Sequence, residues 1–179
     1  MTVKTILHII TTGESGGAQT HLYDLCTNLA DRYKIQAVMG TRGTLADKLE
    51  KEGMGVHIVP ALQREINPGQ DVRAYREIRK LINQLRPDLI CTHSSKAGFL
   101  GRLAAWRAGI PAVFTAHGWA FTEGVPARRQ RLYKMLERLA AGWTARIICV
   151  SDYDFRLAVD NRVASADKMV TIHNGIPLA

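Results

Sequence analysis

Thr5-Ile6-Leu7-His8-Ile9-Ile10, with Gly13-Glu14-Ser15-Gly16-Gly17-Ala18 close behind it, sets the first structural unit of this 179-residue chain. The first six residues form a nearly unbroken apolar, β-branched run, the pattern of a strand buried on both faces. From Gly17 the period changes: Ala18, Leu22, Leu25, Cys26 and Leu29 recur at steps of three and four, one face of a helix. Strand, small-residue turn and helix in that order open a βαβ unit.

The same alternation runs on. Strands are expected at 35–39, 56–59, 88–92, 111–116, 146–150 and 168–172, and helices at 45–52, 72–85, 96–108, 127–142 and 152–163, with 60–69 a polar loop. This predicts an α/β fold: a Rossmann-like, doubly wound, parallel sheet of about seven strands with helices on both faces. Gly98, Gly101 and Ala105 would let the helix over 96–108 lie close to the sheet.

With 46% hydrophobic and 22% charged residues, the chain belongs with globular rather than disordered proteins. No apolar run approaches the roughly 20 residues of a spanning helix. The N-terminal run is too short and strand-like for a signal peptide, so a cytoplasmic protein is expected. Cys26, Cys91 and Cys149 are odd in number and sit among apolar neighbours, which fits buried free thiols in a reducing compartment. No histidine–cysteine metal spacing occurs, and no metal or other cofactor is expected. The net charge of +8 favours an anionic partner, such as a nucleotide sugar, an anionic lipid surface or nucleic acid. A solvated basic surface explains the charge equally well. The chain lacks a helix-turn-helix or other nucleic-acid motif, so nucleic acid is not an expected partner.

Three loops follow predicted strands and should share the crevice at the carboxyl ends of the sheet. In the first, Gly16 and Gly17 would let the backbone meet a phosphate at a helix N-terminus, although a plain strand-to-helix turn would also use glycine. The spacing is neither GxGxxG nor GxxxxGK. It does match G-x-S-x-G, which leaves a serine hydrolase with Ser15 as nucleophile and Asp152 and His173 as partners as an alternative. The second loop, His93-Ser94-Ser95-Lys96, carries two hydroxyls and an ammonium suited to a sugar-phosphate; a serine N-cap beside a solvated lysine is the structural alternative. The third, His117-Gly118-Trp119, offers an imidazole for a sugar hydroxyl, with Trp119 and Phe121 as candidate walls for a sugar ring or lipid chain. Further along, Leu132, Met135, Leu136, Leu139 and Trp143 share one helical face, flanked by Arg128, Arg129, Arg131, Lys134 and Arg138. That helix either packs its apolar face on the sheet or meets anionic lipid with its basic flank.

Taken in order, Glu14–Ala18, Thr92–Gly98 with Gly101–Ala105, Thr115–Gly118, Val150-Ser151 and Ile172–Ile176 resemble the N-terminal half of a GT-B-fold, family-four retaining glycosyltransferase. The stretch from His93 to Ala105 is most similar to members that build bacterial capsule, exopolysaccharide or O-antigen units on a polyprenyl-diphosphate carrier. The resemblance implies a donor diphosphate at Gly16 and Gly17, and the transferring sugar near His117 in a positioning and electrostatic role. It implies an acceptor facing Ser94, Ser95 and Lys96, to which the loop chemistry adds His93 and Trp119 as acceptor-side candidates, and an interdomain region at Ser151, Asn174 and Gly175. Substrates would be a nucleotide sugar and a lipid-linked saccharide, without a metal, with peripheral contact with the cytoplasmic face of the inner membrane. Residues 1–172 would form the acceptor-side domain and 173–179 the start of a linker to a donor-binding domain, without which the chain is expected to be silent. A non-catalytic module for sugar-phosphates or anionic membranes is the other class of function left open.

Overall fold

The computed structural model describes residues 3–175. Its elements alternate as expected: β1 (Thr5–Thr12), α1 (Gly17–Leu29), β2 (Lys34–Thr41), α2 (Thr44–Lys51), β3 (Gly55–Ile58), α3 (Pro68–Leu85), β4 (Leu89–His93), α4 (Ser95–Ala108), β5 (Ala112–Ala116), α5 (Ala127–Ala141), β6 (Arg146–Cys149), α6 (Asp152–Asp160) and β7 (Met169–Thr171). All seven strands are parallel in the order β3-β2-β1-β4-β5-β6-β7. The chain therefore winds outward from β1 in one direction, then returns and winds from β4 in the other. The switch point lies between β1 and β4, where an open α/β sheet leaves its crevice.

The two largest boundary shifts are at helix ends. α3 begins at Pro68 rather than 72, because Asn67 accepts a hydrogen bond from the Gln70 amide at 3.2 Å and Pro68 occupies the first turn, where its missing N–H costs nothing. α6 stops at Asp160, three residues early, and Arg162 turns left-handed at φ 52°. α3 itself ends on Arg86 in the left-handed region just before Pro87.

Leu7, Ile9 and Ile90 pack with Ile78, Ile82, Leu100 and Ala104 of α3 and α4 on one side of the sheet. Ile6 and Ile10 pack with Leu22 and Cys26 of α1 and Leu45 and Leu49 of α2 on the other. The approach of α4 is as close as its glycines allow. A Cβ at Gly98 would lie 2.7 Å from the Phe114 ring, and one at Gly101 2.7 Å from Thr92 Cγ2. Arg102 fills the space beside them and is fully buried. Its guanidinium donates to Glu137 Oε2 on α5 at 2.6 Å and to the Gly98 carbonyl at 2.8 Å, and lies 4.1 Å from the Phe114 ring centroid. All three cysteines are free, Cys26 and Cys149 buried and Cys91 partly so; burial raises their thiols to about 12, 11 and 12 respectively, which keeps them protonated and unreactive.

α5 reverses the expected orientation. Its buried face is Glu137, Ala140 and Ala141. Of the five residues of the expected apolar face, Leu132, Met135 and Leu139 are 41%, 57% and 52% exposed and form a stripe on the outer side, while Leu136 is half-buried and Trp143 packs on Phe99 and Trp106. The buried Glu137 explains the rotation: the Arg102 charge can be matched only if α5 turns that face inward.

Candidate functional site

The loops after β1, β4 and β5 sit side by side at the switch point, and they are built differently. Gly13 is a packing glycine, since a Cβ there would lie 2.7 Å from Met39 Sδ and 2.8 Å from the Thr41 carbonyl. Gly17 is not. It is exposed, and a Cβ on it would meet nothing within 4 Å. The space before the α1 N-terminus is open to an approaching group. Side chains cap α3 (Asn67) and α6 (Ser151), but none caps α1 or α4, and neither has an acidic residue in its first turn. Two helix N-termini thus keep their partial positive charge for an anion at the rim.

Ser94 carries the strain of the site. Its φ of 68° and ψ of 151° lie in a region that essentially only glycine uses, at a cost of about 1–3 kcal/mol. The hydroxyl does not cap α4, the simpler role a serine there suggests. It pairs with Thr11 Oγ1 at 2.6 Å, tying the β4 loop to the end of β1 across the switch point. Ser95 follows, half-buried, in the first turn of α4.

Behind the rim runs a row of imidazoles from four elements. His8 Nδ1 lies 3.2 Å from His93 Nε2, and His93 Nδ1 lies 3.3 Å from His117 Nε2. The His21 ring of α1 meets His117 edge-on, with centroids 5.1 Å apart. Strand register produces the row: β1, β4 and β5 are neighbours, so alternate residues of each project on the side that α1 covers. Burial is the main cause that lowers every one of these histidines: His8 and His117 to about 4, His93 well below its ordinary value, and His21 in the same direction. All four are neutral at pH 7.

The sign of the resulting pH dependence follows. Unfolded histidines take up protons near 6.5 that these buried ones refuse, so the folded state is at full strength above 6.5 and loses stability as pH falls toward 4. His8 alone represents roughly 3 kcal/mol over that window. Scanning calorimetry should show the melting temperature dropping steadily between pH 7 and pH 4.5, and less steeply in His8→Leu; equal slopes would mean that His8 does not carry this dependence.

Three expected acceptor-side residues lie elsewhere. His93 has no exposed surface; it backs His117 and touches no cleft. Lys96 is held by the Asp71 carboxylate and the Glu65 carbonyl, which secures the loop before α3 and commits two of the ammonium's three donors away from the rim. Trp119 is 3% exposed, its Nε1 donating to the Asp154 carbonyl at 2.9 Å, and it stacks on Phe121, so both rings are core and not walls. Ser151 lies just after β6 and caps α6: its hydroxyl accepts from the Asp154 amide at 3.1 Å and donates to Asp154 Oδ2 at 2.6 Å. Asn174 and Gly175 are exposed after β7, and 176–179 fall outside the described residues. Of the five basic residues on α5, Arg128, Arg129 and Arg131 are exposed, Arg138 donates to the Asn161 carbonyl, and Lys134 lies 5.8 Å from the Phe121 ring centroid.

The hydrolase alternative fails on distance. Ser15 Oγ bonds Thr44 Oγ1 at 2.9 Å. Asp152 and His173 approach each other at 3.9 Å, but at the ends of β6 and β7, three and four strands (about 14 and 19 Å) across the sheet from β1. The sequence reading missed His8, His21 and Thr11. His8 is the one polar side chain between Ile6 and Ile10, and that interruption was the available signal.

Comparison with known proteins bears on the family and the fold. Residues 15–179 match the family model described as Glycosyltransferase Family 4. An Escherichia coli UDP-Gal:alpha-D-GlcNAc-diphosphoundecaprenol alpha-1,3-galactosyltransferase is 34% identical over 149 residues, covering 83% of this chain and 38% of that protein. The O-antigen biosynthesis glycosyltransferase WbnH of the same species is 23% identical over 175 residues, covering 98% of this chain and 50% of its own. Among solved structures, a Rickettsia africae glycosyltransferase aligns with a TM-score of 0.76 at 20% identity, over 97% of this chain and 43% of its own. Anabaena Alr3699/HepE in complex with UDP-glucose gives 0.73 at 20% identity, over 96% and 44%. The chain thus spans half or less of the length of these relatives. It belongs to glycosyltransferase family 4.

Proposed function

We propose that this chain forms the acceptor-side half of a retaining glycosyltransferase. It would move a hexosyl or N-acetylhexosaminyl group from a nucleotide sugar to a polyprenyl-diphosphate-linked saccharide during surface-polysaccharide synthesis. The observation that carries the reading is the convergence at one switch point of an open glycine turn, two uncapped helix N-termini, a strained serine and a neutral half-buried histidine. Each part suits a role. The α1 N-terminus would receive the donor diphosphate at Gly16 and Gly17, Ser94 and Ser95 would face the acceptor, and His117 would meet a sugar oxygen. Transfer then depends on a second lobe closing over this rim, so that the leaving diphosphate is stabilised by fixed N–H donors in a water-poor site. Without a metal, that stabilisation falls to the protein.

The test is a lipid-extraction assay with UDP-galactose or UDP-N-acetylglucosamine and a synthetic GlcNAc-diphospho-polyprenol. The expected outcome is sugar transferred to the lipid phase by the protein carrying its donor lobe, with the anomeric configuration of the donor retained in the product's proton NMR spectrum. Residues 1–179 alone should give none. Turnover by that half alone, or an inverted product, would contradict the proposal.

A second reading concerns α5. Leu132, Met135 and Leu139 project outward beside Arg128 and Arg131, the composition of a helix lying on an anionic bilayer surface. No helix among the described residues is long and apolar enough to cross a membrane. Peripheral contact through this stripe would deliver the active rim to a lipid-linked acceptor. Co-sedimentation with phosphatidylglycerol vesicles should be weakened about tenfold or more by the triple change Leu132→Glu, Met135→Glu, Leu139→Glu, and should fall with salt. Vesicle binding unaffected by the triple change would exclude α5 as the contact.

A further inference from the structure

We propose that His8 and His93 are positioning residues for His117. Through two successive imidazole–imidazole hydrogen bonds they would hold its Nε2 as an acceptor inside the protein and so present Nδ1–H to the cleft as a donor. The inference rests on the reading of His117 as the rim group that meets the transferred sugar.

Counting protons fixes the direction. Each neutral imidazole carries one N–H. Three rings joined by two bonds therefore have two complete arrangements. In the first, His8 Nδ1–H donates to His93 Nε2, and His93 Nδ1–H donates to His117 Nε2. The remaining proton sits on His117 Nδ1, and His8 Nε2 is left with a lone pair. In the second, every bond reverses: His117 donates inward, and the surplus N–H lies on His8 Nε2. Any mixed arrangement breaks one of the two bonds.

The inner end of the row separates the two. His8 Nε2 is buried and has no partner among the described residues. The second arrangement would leave a donor orphaned there; the first leaves only an acceptor. Orphaned buried N–H groups are the rarer of the two because the proton has nowhere to go, whereas an unused lone pair is tolerated. The ladder thus favours Nδ1–H on His117, the opposite of what a free imidazole in water prefers. His117 Nδ1 has no hydrogen-bond partner among the described residues and, unlike His8 Nε2, is not fully buried, so it is open to a group at the rim. The edge-on His21 ring helps keep that plane. A neutral, oriented N–H there can donate to a sugar hydroxyl or a phosphate oxygen, and it cannot act as a cationic acid at pH 7.

Long-range proton–nitrogen correlation spectra of the protein labelled with ¹⁵N-histidine read the tautomer directly. At pH 7.5 the expected His117 pattern has a protonated Nδ1 and an unprotonated Nε2, and the expected His8 pattern also has a protonated Nδ1. A wild-type His117 in the Nε2–H form would overturn the proposal, without any variant having to fold. In His8→Leu, whose folding is checked by the same spectrum, His117 should relax to a mixture of tautomers. The same change in the complete protein, donor lobe included, should lower kcat about tenfold to a hundredfold with donor KM little changed, the pattern of a misoriented group rather than a lost contact. An unchanged His117 spectrum in a folded His8→Leu variant would remove His8 from the relay. Failure of the underlying reading looks different: His117→Ala would leave turnover intact whatever the tautomer.

Discussion

His117→Ala in the complete protein should lower kcat by about 10²–10³-fold while leaving the fold nearly intact. The side chain is half-buried at the rim and makes one hydrogen bond, to His93. Its loss should cost stability only about 1 kcal/mol, because water at the rim can take over the bond to His93 Nδ1. Catalysis has no such substitute. Water entering the gap is mobile, whereas the imidazole is held by His93 on β4 and His21 on α1, and fixed donors lose their advantage when they must be reoriented at the moment of reaction. Single-turnover rates and melting temperature measured on one preparation separate the two effects. A tenfold or larger rate loss with a melting temperature within a few degrees is the expected pair. A protein that loses both together would show His117 to be structural.

Glu137→Ala should be the most destabilising single change on the α4–α5 interface, by about 3–5 kcal/mol. Removing the carboxylate leaves the Arg102 guanidinium in a site with no exposed surface, where only the Gly98 carbonyl, a long contact to Thr144 and the Phe114 ring remain. Charge without a partner in such a place is the penalty; the pair itself need contribute little. The double change Arg102→Met, Glu137→Leu should therefore recover most of the loss, since it removes both charges and keeps the volume. Urea unfolding of the two variants decides this. If the double variant is no more stable than Glu137→Ala, the cost belongs to packing around the pair and not to the stranded charge.

The fold was readable from the sequence because its signals are local. Apolar runs such as Thr5–Ile10 change to helical period across a small-residue turn, and that alternation repeats along the chain. The close approach of α4 was readable for the same reason, from Gly98 and Gly101 alone. What could not be read depends on partners far apart in sequence. Arg102 looks like a surface arginine until Glu137 is brought beside it, 35 residues away. The same pair turned α5 so that the stripe expected inside faces out. Lys96 and Trp119 were assigned to the ligand on chemical type, but Asp71 and the Asp154 carbonyl claim them. His8 and His93 form a row with His117 only because β1, β4 and β5 are spatial neighbours, which is a property of strand order and leaves no trace in spacing.

The most direct measurement is to map where the acceptor lies. A GlcNAc-diphospho-polyprenol carrying a photoreactive diazirine on the sugar, cross-linked to the protein and located by peptide mass spectrometry, reports its neighbours. The account predicts adducts in the loops after β4 and β5, at Ser94, Ser95 and around His117 and Gly118, abolished by excess unlabelled acceptor. Competable adducts confined to the opposite end of the sheet, around Arg86, Arg107 and Ile110, would contradict it.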